Sequence, residues 1–238
     1  MQRIEKLIKS GQDIALEISH EQAQKLIAYM DALLIKNEAI NLTRITDQDE
    51  FILLHLLDSL TLLPFIKNDP RHILDLGTGG GFPGIPLAIM LPGCQFMLLD
   101  STRKKLNVVE EIAQSLELKN VQVMHGRAEE LGHDQAYRQH FDLVVSRAVA
   151  NLNSLSEYAL PFVKVGGYFL SMKGKEYESE LESGKKAIKK LGGQIIAIEK
   201  ANLPQSDYQH VIIVVEKVRS TPEKLPRISG KIKKEPLK

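Results

Sequence analysis

The stretch HILDLGTGGGFPGIP, His72–Pro86, decides the fold of this chain. Its Ile73–Leu76 segment is a short apolar run typical of a buried strand, and Gly77, Gly79 and Gly81 follow directly. Glycine allows a tight turn and a close approach of the backbone to a ligand because it has no Cβ. A helix that begins after such a turn presents free backbone N–H groups to that ligand. The stretch therefore predicts a strand, a ligand-binding loop and a helix, in that order.

Beyond this stretch, short apolar segments alternate with longer segments of helical periodicity. The predicted strands are Ile73–Leu76, Phe96–Leu99, Val121–His125, Leu143–Ser146 and Gly167–Met172. The helices predicted between them include Arg103–Leu116 and Tyr177–Leu191. Strands that alternate with helices at this spacing predict an α/β fold with a doubly wound, mostly parallel sheet.

Two further strands are predicted near the end of the chain, Gln194–Glu199 and His210–Lys217. Only about ten residues and no helix separate them, whereas a parallel connection needs a crossover of a dozen or more. The two strands are therefore predicted to pair antiparallel, at or near one edge of the sheet.

Residues 1–66 are predicted to form an N-terminal helical cap. Ser19 and Gln22 have the spacing of a capping box, and apolar residues recur at helical intervals after them. A second helical segment opens near Thr46, and Pro64 limits its far end.

The rest of the chain divides into a main domain over residues 67–219 and a basic tail over residues 220–238, within one globular unit. From Lys217 to Lys238 there are eight Lys or Arg and two Glu, a local charge of +6 in a chain with a net charge of +1. Such a tail indicates either contact with nucleic acid or a solvated end that keeps the protein soluble. Its prolines predict an extended conformation; they are Pro222, Pro226 and Pro236.

Composition excludes some classes of protein. Cys94 is the only cysteine, so neither an intrachain disulfide nor a cysteine-based zinc site is expected. No apolar run reaches the roughly 18 residues of a membrane span, and the first ten residues lack the hydrophobic stretch of a secretory signal. A cytoplasmic protein with no membrane association is therefore expected.

The acid that precedes the glycines distinguishes two cofactors. Gly79, Gly81 and Gly84 match the spacing of a dinucleotide fingerprint, but Asp75 stands two residues before the first glycine of the loop. A carboxylate there would repel a pyrophosphate, whereas S-adenosylmethionine (SAM) has no phosphate and carries an ammonium that an acid can hold. SAM is therefore the predicted cofactor, and the alternative role for Asp75 is to cap the turn.

Two other strand ends are predicted to contribute to the cofactor site. Asp100 closes the second strand, where a carboxylate can accept hydrogen bonds from both ribose hydroxyls or, alternatively, cap the next helix. Ala128 and Glu129 follow the third strand, and their backbone groups are placed to bind the adenine edge.

Arg147 ends the fourth strand, at the edge of the sheet where ligands of open α/β folds bind. An unpaired arginine is rare at a buried strand end, so Arg147 needs a partner. A cofactor carboxylate or a substrate phosphate would give it an orienting role in catalysis. The structural alternative is an ion pair with Asp75 or Asp58.

Several segments occur together in one order along the chain. Besides the glycine stretch they are Asn41–Ile45 (NLTRI), His55–Leu60 (HLLDSL) and Ser146–Ala148 (SRA). In this combination the sequence resembles the glucose-inhibited division protein B family, bacterial methyltransferases of small-subunit ribosomal RNA. The resemblance extends from about Ile14 to Leu237, and its most specific motif is GGGFPGIP, Gly79–Pro86.

The resemblance implies a class I SAM-dependent methyltransferase of the Rossmann-like type. It implies methylation of N7 of one guanine in 16S rRNA, nucleotide 527 in the usual rRNA numbering. It places SAM binding at Gly77, Phe82, Ala128, Glu129 and Arg147. The substrate would be 16S rRNA or a precursor of the small ribosomal subunit, and a monomer is expected. The predicted RNA contacts are basic residues of the tail: Lys224, Arg227, Lys231, Lys233 and Lys234.

Guanine N7 carries a free lone pair, so its methylation needs alignment and exclusion of water but no general base. His55 and Asp58 lie three residues apart on one predicted helix, but two ligands are too few for a metal site, and no metal is expected.

The sequence leaves other functions open. One alternative is a SAM-dependent methyltransferase that acts on another RNA, a protein or a small molecule, and another is an RNA-binding module without catalysis. Asp75 disfavours a nicotinamide-dependent oxidoreductase.

Overall fold

The computed structural model describes residues 1–66, 71–204, 206 and 208–237. The predicted start of the main domain at residue 67 and the last tail residue, Lys238, therefore lie outside the described residues.

Within the described residues seven strands form one sheet, and they include all seven predicted strands. They are β1 (His72–Leu76), β2 (Gln95–Asp100), β3 (Val121–His125), β4 (Phe141–Arg147), β5 (Val163–Lys173), β6 (Gly193–Asn202) and β7 (Gln209–Lys217). The strand order is β3-β2-β1-β4-β5-β7-β6. β1 to β5 pair in parallel, whereas β7 runs antiparallel to both β5 and β6. The predicted fold class and the antiparallel pair at one edge are confirmed.

The N-terminal helices begin with α1 (Gln2–Gln12) and α2 (His20–Asn37). The predicted capping box is present: Gln22 N donates to Ser19 Oγ at 3.2 Å, and Ser19 N donates to Gln22 Oε1 at 2.9 Å. These bonds satisfy two of the donors that a helix start leaves free, so α2 begins where the sequence predicts.

The second helical segment of the cap is irregular. It comprises α3 (Gln48–Phe51), a π-helical segment (Ile52–Leu57), α4 (Asp58–Leu60) and a short 3₁₀ turn (Leu63–Phe65). Its start is capped by Asp47, whose Oδ1 accepts from Glu50 N at 2.9 Å. π-Helical turns widen a helix locally and are frequent at functional sites. This one carries His55, which faces the site described below.

In the described part of the chain, six more helices pack around the sheet. They are α5 (Gly84–Met90), α6 (Arg103–Ser115), α7 (Ala128–Leu131), α8 (Leu152–Ala159), α9 (Tyr177–Lys190) and α10 (Ser229–Lys234). Adjacent strand residues such as Ile73 and Leu74 are both fully buried but belong to different apolar clusters, because successive side chains point to opposite faces. The cap, α5 and α6 cover one face, and α8 and α9 cover the other. No helix of the described residues is long and apolar enough to cross a bilayer.

The extended conformation predicted for the tail is wrong. Leu225 and Ile232 are buried in the apolar cluster on the α8 side of the sheet, and residues 229–234 form α10. The Arg138 guanidinium donates to the carbonyl oxygens of Thr221, Pro222 and Leu225 at 2.9 to 3.1 Å. The tail folds because it has apolar side chains to bury and a cation that satisfies its carbonyls, and its prolines do not prevent this.

Candidate active site

A cavity of about 680 Å³ opens at the carboxyl ends of β1, β2 and β4. Its walls are the glycine loop, the ends of β2 and β3, the start of α7 and the loop after β4. Ligands of open α/β sheets bind at this edge, where the strand order reverses. Of the predicted cofactor residues, Gly77, Gly79, Phe82, Asp100, Ala128, Glu129 and Arg147 line the cavity, whereas Asp75 and Gly81 do not.

The glycine loop requires glycine for two different reasons. Gly77, Gly79 and Gly81 have φ angles of +75°, +57° and +90°, a region that side chains disfavour. A Cβ at Gly81 would collide with the Tyr29 hydroxyl of α2, which donates a hydrogen bond to Gly80 O. A Cβ at Gly79 would instead have only Gly77 O near it, at 4.0 Å. Gly81 therefore allows α2 of the cap to pack against the loop, and Gly79 faces the cavity.

Asp75 lies behind the loop and is fully buried. Its Oδ2 accepts from Thr78 Oγ1 at 2.6 Å and from Gly84 N at 2.8 Å, while Oδ1 accepts no hydrogen bond from the described residues. Burial raises the pKa of Asp75 to about 6, against the lowering effect of those two hydrogen bonds. The turn-capping role is therefore present in the structure.

Asp100 connects the glycine loop to the turn before α6. Its Oδ2 accepts from Gly79 N at 2.9 Å, and its Oδ1 accepts from Thr102 N at 2.8 Å. Each carboxylate oxygen can accept a further hydrogen bond. Asp100 therefore holds the turn before α6 but does not cap that helix, whose N-cap is Thr102; the carboxylate still lines the cavity.

Glu129 is nine-tenths buried at the start of α7. Its Oε1 lies 3.9 Å from Arg127 Nη1, too far for a hydrogen bond, and accepts none from the described residues. A buried acceptor without a donor is unfavourable unless a ligand or water supplies one. Because Glu129 and Ala128 also line the cavity, this wall offers an acceptor to a bound molecule.

Arg147 is held by the helical cap. Its Nη1 donates to Asp58 Oδ2 at 2.7 Å and to Leu54 O at 3.0 Å, and its Nη2 donates to His55 Nδ1 at 3.0 Å. The ion pair with Asp58 is the structural alternative that the sequence leaves open. Burial raises the pKa of Asp58, but His210 and Arg147 outweigh this effect and lower it below its usual value.

Phe82 connects the glycine loop to this cluster. Its ring stacks on the His55 ring with centroids 4.4 Å apart and an interplanar angle of 11°, and Arg147 Cζ lies 5.1 Å from its centroid. Because guanidinium groups only donate, His55 Nδ1 accepts from Arg147, and its other ring nitrogen lies 2.6 Å from Thr43 Oγ1. Burial, followed by the charge of Arg147, lowers the pKa of His55 to about 4.

The predicted RNA-binding residues of the tail divide into two groups. Lys224, Lys231, Lys233 and Lys234 are exposed, and Lys233 lines the cavity. Arg227 instead forms a two-pronged ion pair with Glu157, which is fully buried on α8, at 2.8 and 2.7 Å. Among the described residues no group of three or more His, Cys, Asp or Glu is arranged to hold a metal ion.

Some residues at the site carry no sequence signal that singles them out. Lys173 at the end of β5 forms an ion pair of 2.7 Å with Glu180 on α9. His210 on β7 is buried, with Nδ1 2.9 Å from Asp58 Oδ1. These partners are 7 and 152 positions apart in the chain, so only the folded chain shows that they meet.

The seven-stranded sheet with its antiparallel β7, the N-terminal helices and the cavity define a class I SAM-dependent methyltransferase. Solved structures share this fold. NSun6 from Pyrococcus horikoshii with SFG superposes with a TM-score of 0.56 and 14% identity, over 70% of this chain and 53% of that chain. M. jannaschii TYW2 in complex with AdoMet superposes with a TM-score of 0.53 and 19% identity, over 68% and 76%.

The family is narrower than the fold. The family model described as GidB, rRNA small subunit methyltransferase G, matches residues 22–210. Ribosomal RNA small subunit methyltransferase G of Alkaliphilus oremlandii is 46% identical over 235 residues, 98% of each chain. The protein of that name from Acetivibrio thermocellus is 46% identical over 231 residues, 97% of this chain and 95% of the relative. This chain belongs to the rRNA small subunit methyltransferase G family, and the resemblance read from its motifs is confirmed.

Proposed function

We propose that this enzyme transfers the methyl group of SAM to N7 of a single guanine in 16S rRNA, at the position equivalent to nucleotide 527. The observation that supports N7 as the target atom concerns the two histidines near Arg147: their ring nitrogens already face other protein groups. His55 contacts Arg147 and Thr43 through its two ring nitrogens, and His210 lies within 3.3 Å of Asp58 and Thr61 through its own. Each of these ring nitrogens already has a protein group within 3.3 Å, and methylation of N7 uses its free lone pair and needs no base to remove a proton.

The cofactor assignment follows from the cavity walls. SAM supplies an electrophilic methyl group when it is bound. We assign Gly77 and Gly79 to the backbone surface against which the cofactor lies, and Asp100 to its ribose hydroxyls, since all three line the cavity. Ala128 and Glu129 take the adenine, and the orphaned Glu129 Oε1 gives that wall an acceptor for an amino group.

The remaining predicted cofactor residues support the glycine loop or the cavity wall. Asp75 and Gly81 support the glycine loop from behind, through Gly84 N and Tyr29 respectively. Phe82 contributes to the cavity wall and holds His55 by ring stacking.

Arg147 is assigned an orienting role. Its guanidinium is anchored to the cap on one side and lines the cavity on the other. The anchored cation fixes the distance between the cap and the end of β4, so bound groups meet a preorganised wall. A rigid wall matters for this reaction because the rate depends on alignment of the attacking nitrogen with the methyl carbon.

A covalent route through cysteine does not fit the geometry. Cys94, the only cysteine of the chain, directly precedes β2 and therefore lies at the amino edge of the parallel strands. The cavity opens at the carboxyl edge. Methylation of a base carbon by a cysteine adduct would need a thiol at the cavity.

RNA as the substrate is supported by cations at the cavity. Lys105 of α6, Arg127 before α7 and Lys233 of α10 line it from three parts of the chain. Cations that neutralise phosphates release counterions from a nucleic acid, and exposed Lys224, Lys231 and Lys234 extend the positive surface along the tail. Arg227 supports the fold of the tail and does not contact RNA in this proposal, since its guanidinium forms an ion pair with Glu157. We infer a cytoplasmic monomer that acts on 16S rRNA or on a precursor of the small subunit.

The test is methyl transfer from radiolabelled SAM to small subunits and to free 16S rRNA from cells that lack this enzyme. Reduction with borohydride followed by aniline cleaves RNA at 7-methylguanosine and maps the product. One strong cleavage at the 527-equivalent guanine supports the proposal. Label that resists this cleavage, or label at another nucleotide, would overturn it.

A further inference from the structure

A second cavity, of about 260 Å³, lies beside the cofactor cavity and shares Arg147 and Ala148 with it. We propose that this second cavity holds the target guanine, with the Tyr208 ring stacked on the base and the Glu176 carboxylate accepting from its N1–H and N2 amino group. The inference rests on the proposed function and names the substrate side of the same site.

The antiparallel strand brings Tyr208 to this cavity. Because β7 runs antiparallel to β5, Val211 near its start pairs with Lys173 at the carboxyl end of β5. Tyr208, one residue before β7, therefore lies at the edge of the sheet where the cofactor cavity opens. Its side chain is 44% exposed although it lines the cavity. An exposed aromatic ring at a cavity is a stacking platform for a base.

The wall between the two cavities is held in a strained shape. Ala148 has a φ angle of +56°, a conformation that costs energy for any residue with a Cβ and that clusters at functional sites. Two bonds fix the chain that follows: Lys173 Nζ donates to Ala150 O at 2.8 Å, and Glu180 Oε2 accepts from Leu152 N at 2.6 Å. Since Lys173 and Glu180 also pair with each other, the wall is clamped from the β5 side.

The charges around the second cavity match the two edges of guanine. O6 is an acceptor on the same edge as N7, and cations lie on that side: Arg147 in the wall shared with the cofactor cavity and Lys173 in the second cavity. N1–H and the N2 amino group are donors on the opposite edge, and Glu176 offers an exposed carboxylate from the start of α9. Methyltransferases that act on a base take it out of the stack and bind it by stacking and by this edge.

The test uses Tyr208→Ala, Tyr208→Leu and Tyr208→Phe in the full-length enzyme. Stacking on one aromatic ring contributes enough that its loss should lower kcat/KM for small subunits about ten- to hundredfold. Tyr208→Leu keeps apolar bulk without a π-face and should fail like Tyr208→Ala, whereas Tyr208→Phe should retain most activity. SAM affinity, measured by calorimetry, should stay at the wild-type value in all three.

Glu176→Gln is the second variant, since an amide has one acceptor oxygen and a donor NH2 group where a carboxylate has two acceptor oxygens, one each for N1–H and the N2 amino group. It should lower kcat/KM for the RNA and leave SAM affinity unchanged. Tyr137→Ala is the matched control: this tyrosine lines a different cavity beside the amino ends of β1, β2 and β4, and its loss should leave kcat/KM near the wild-type value.

The outcomes separate the two proposals. Wild-type enzyme that methylates no small-subunit RNA contradicts the proposed function itself. Active wild-type enzyme with unimpaired Tyr208→Ala and Tyr208→Leu variants overturns only the guanine pocket. Weakened SAM binding in these variants would also overturn it, because Tyr208 would then act on the cofactor. Melting curves of each variant identify any loss of folded protein.

Discussion

Arg147 and Asp58 form an ion pair, 2.7 Å from Nη1 to Oδ2, that joins the carboxyl end of β4 to the helical cap. Asp58 is buried, and the Arg147 side chain is only 16% exposed. Asp58 also lies 2.9 Å from His210 of β7. One carboxylate thus connects the cap to two strands of the sheet, and the cap becomes part of the wall of the site.

Arg147→Ala is expected to remove most methyl transfer and to lower the free energy of unfolding by about 3 kcal/mol, because it leaves a buried carboxylate without its cationic partner. Arg147→Lys should restore activity only in part, since lysine cannot reproduce the planar contacts to Asp58, Leu54 and His55. Turnover assays and urea unfolding measure the two effects. Adding Asp58→Asn to Arg147→Ala should recover stability but not activity. Wild-type turnover in Arg147→Ala would leave Arg147 with a purely structural role.

Gly79→Val is expected to raise the Kd for SAM by about tenfold or more, a loss of about 1.4 kcal/mol or more, because the new side chain enters the cavity. Gly166→Val is the matched control: Gly166 also has a positive φ, +84°, and open space around its missing Cβ, but it does not line the cavity. Both variants carry similar backbone strain. Calorimetry with SAM should therefore find weak binding only in Gly79→Val. Equal SAM affinities in the two variants would mean that Gly79 does not contact the cofactor.

The buried His55 should make stability depend on pH. Its pKa is about 4 in the folded protein against an ordinary value of 6.5, so between these values the unfolded chain binds more protons. The free energy of unfolding therefore falls as pH drops through this window, by no more than about 1.4 kcal/mol per pH unit. His55→Gln should remove this contribution, so its stability relative to wild type should improve from pH 7 to pH 5. Urea unfolding at both values measures the difference.

Asp75 serves as a control, because its pKa shift predicts a pH dependence of stability with the opposite sign. Its pKa is raised from 3.8 to about 6, so the folded protein binds more protons between these values. This contribution to the free energy of unfolding is full at low pH and is lost as pH rises through about 6. Asp75→Asn should therefore change relative stability in the direction opposite to His55→Gln. The same sign for both variants would contradict the assignment of these two shifts.

The tail prediction uses substitution, because the tail is folded. Replacing Lys224, Lys231 and Lys234, which are exposed and do not line the cofactor cavity, with Gln should flatten the log–log salt slope of RNA binding by about 2, at ~0.7 per phosphate contact with a single strand. SAM affinity should remain at the wild-type value. Arg227→Ala should instead lower stability, since Glu157 is fully buried and loses its partner, and should leave the slope unchanged. An unchanged slope in the triple variant would mean that RNA binds elsewhere.

Much of the fold follows from local sequence. The strand–helix alternation, the capping box at Ser19 and the glycine turn all depend on residues within a few positions of each other. Periodicity and turn chemistry therefore predict them. The cofactor edge follows as well, because parallel strands bring Asp100, Ala128 and Arg147 to one side of the sheet.

Only the tertiary structure decided which partners those residues have. The sequence left Arg147 open between a ligand and an ion pair, and the choice depends on Asp58, 89 positions away. Proline content predicted an extended tail, but burial of Ile232 and the contacts of Arg138 outweighed it. A buried polar group takes whichever partner the fold places within hydrogen-bond reach, and that distance is set by packing between distant segments. For the same reason the cavity that joins Tyr208 to Arg147 exists only in the folded chain.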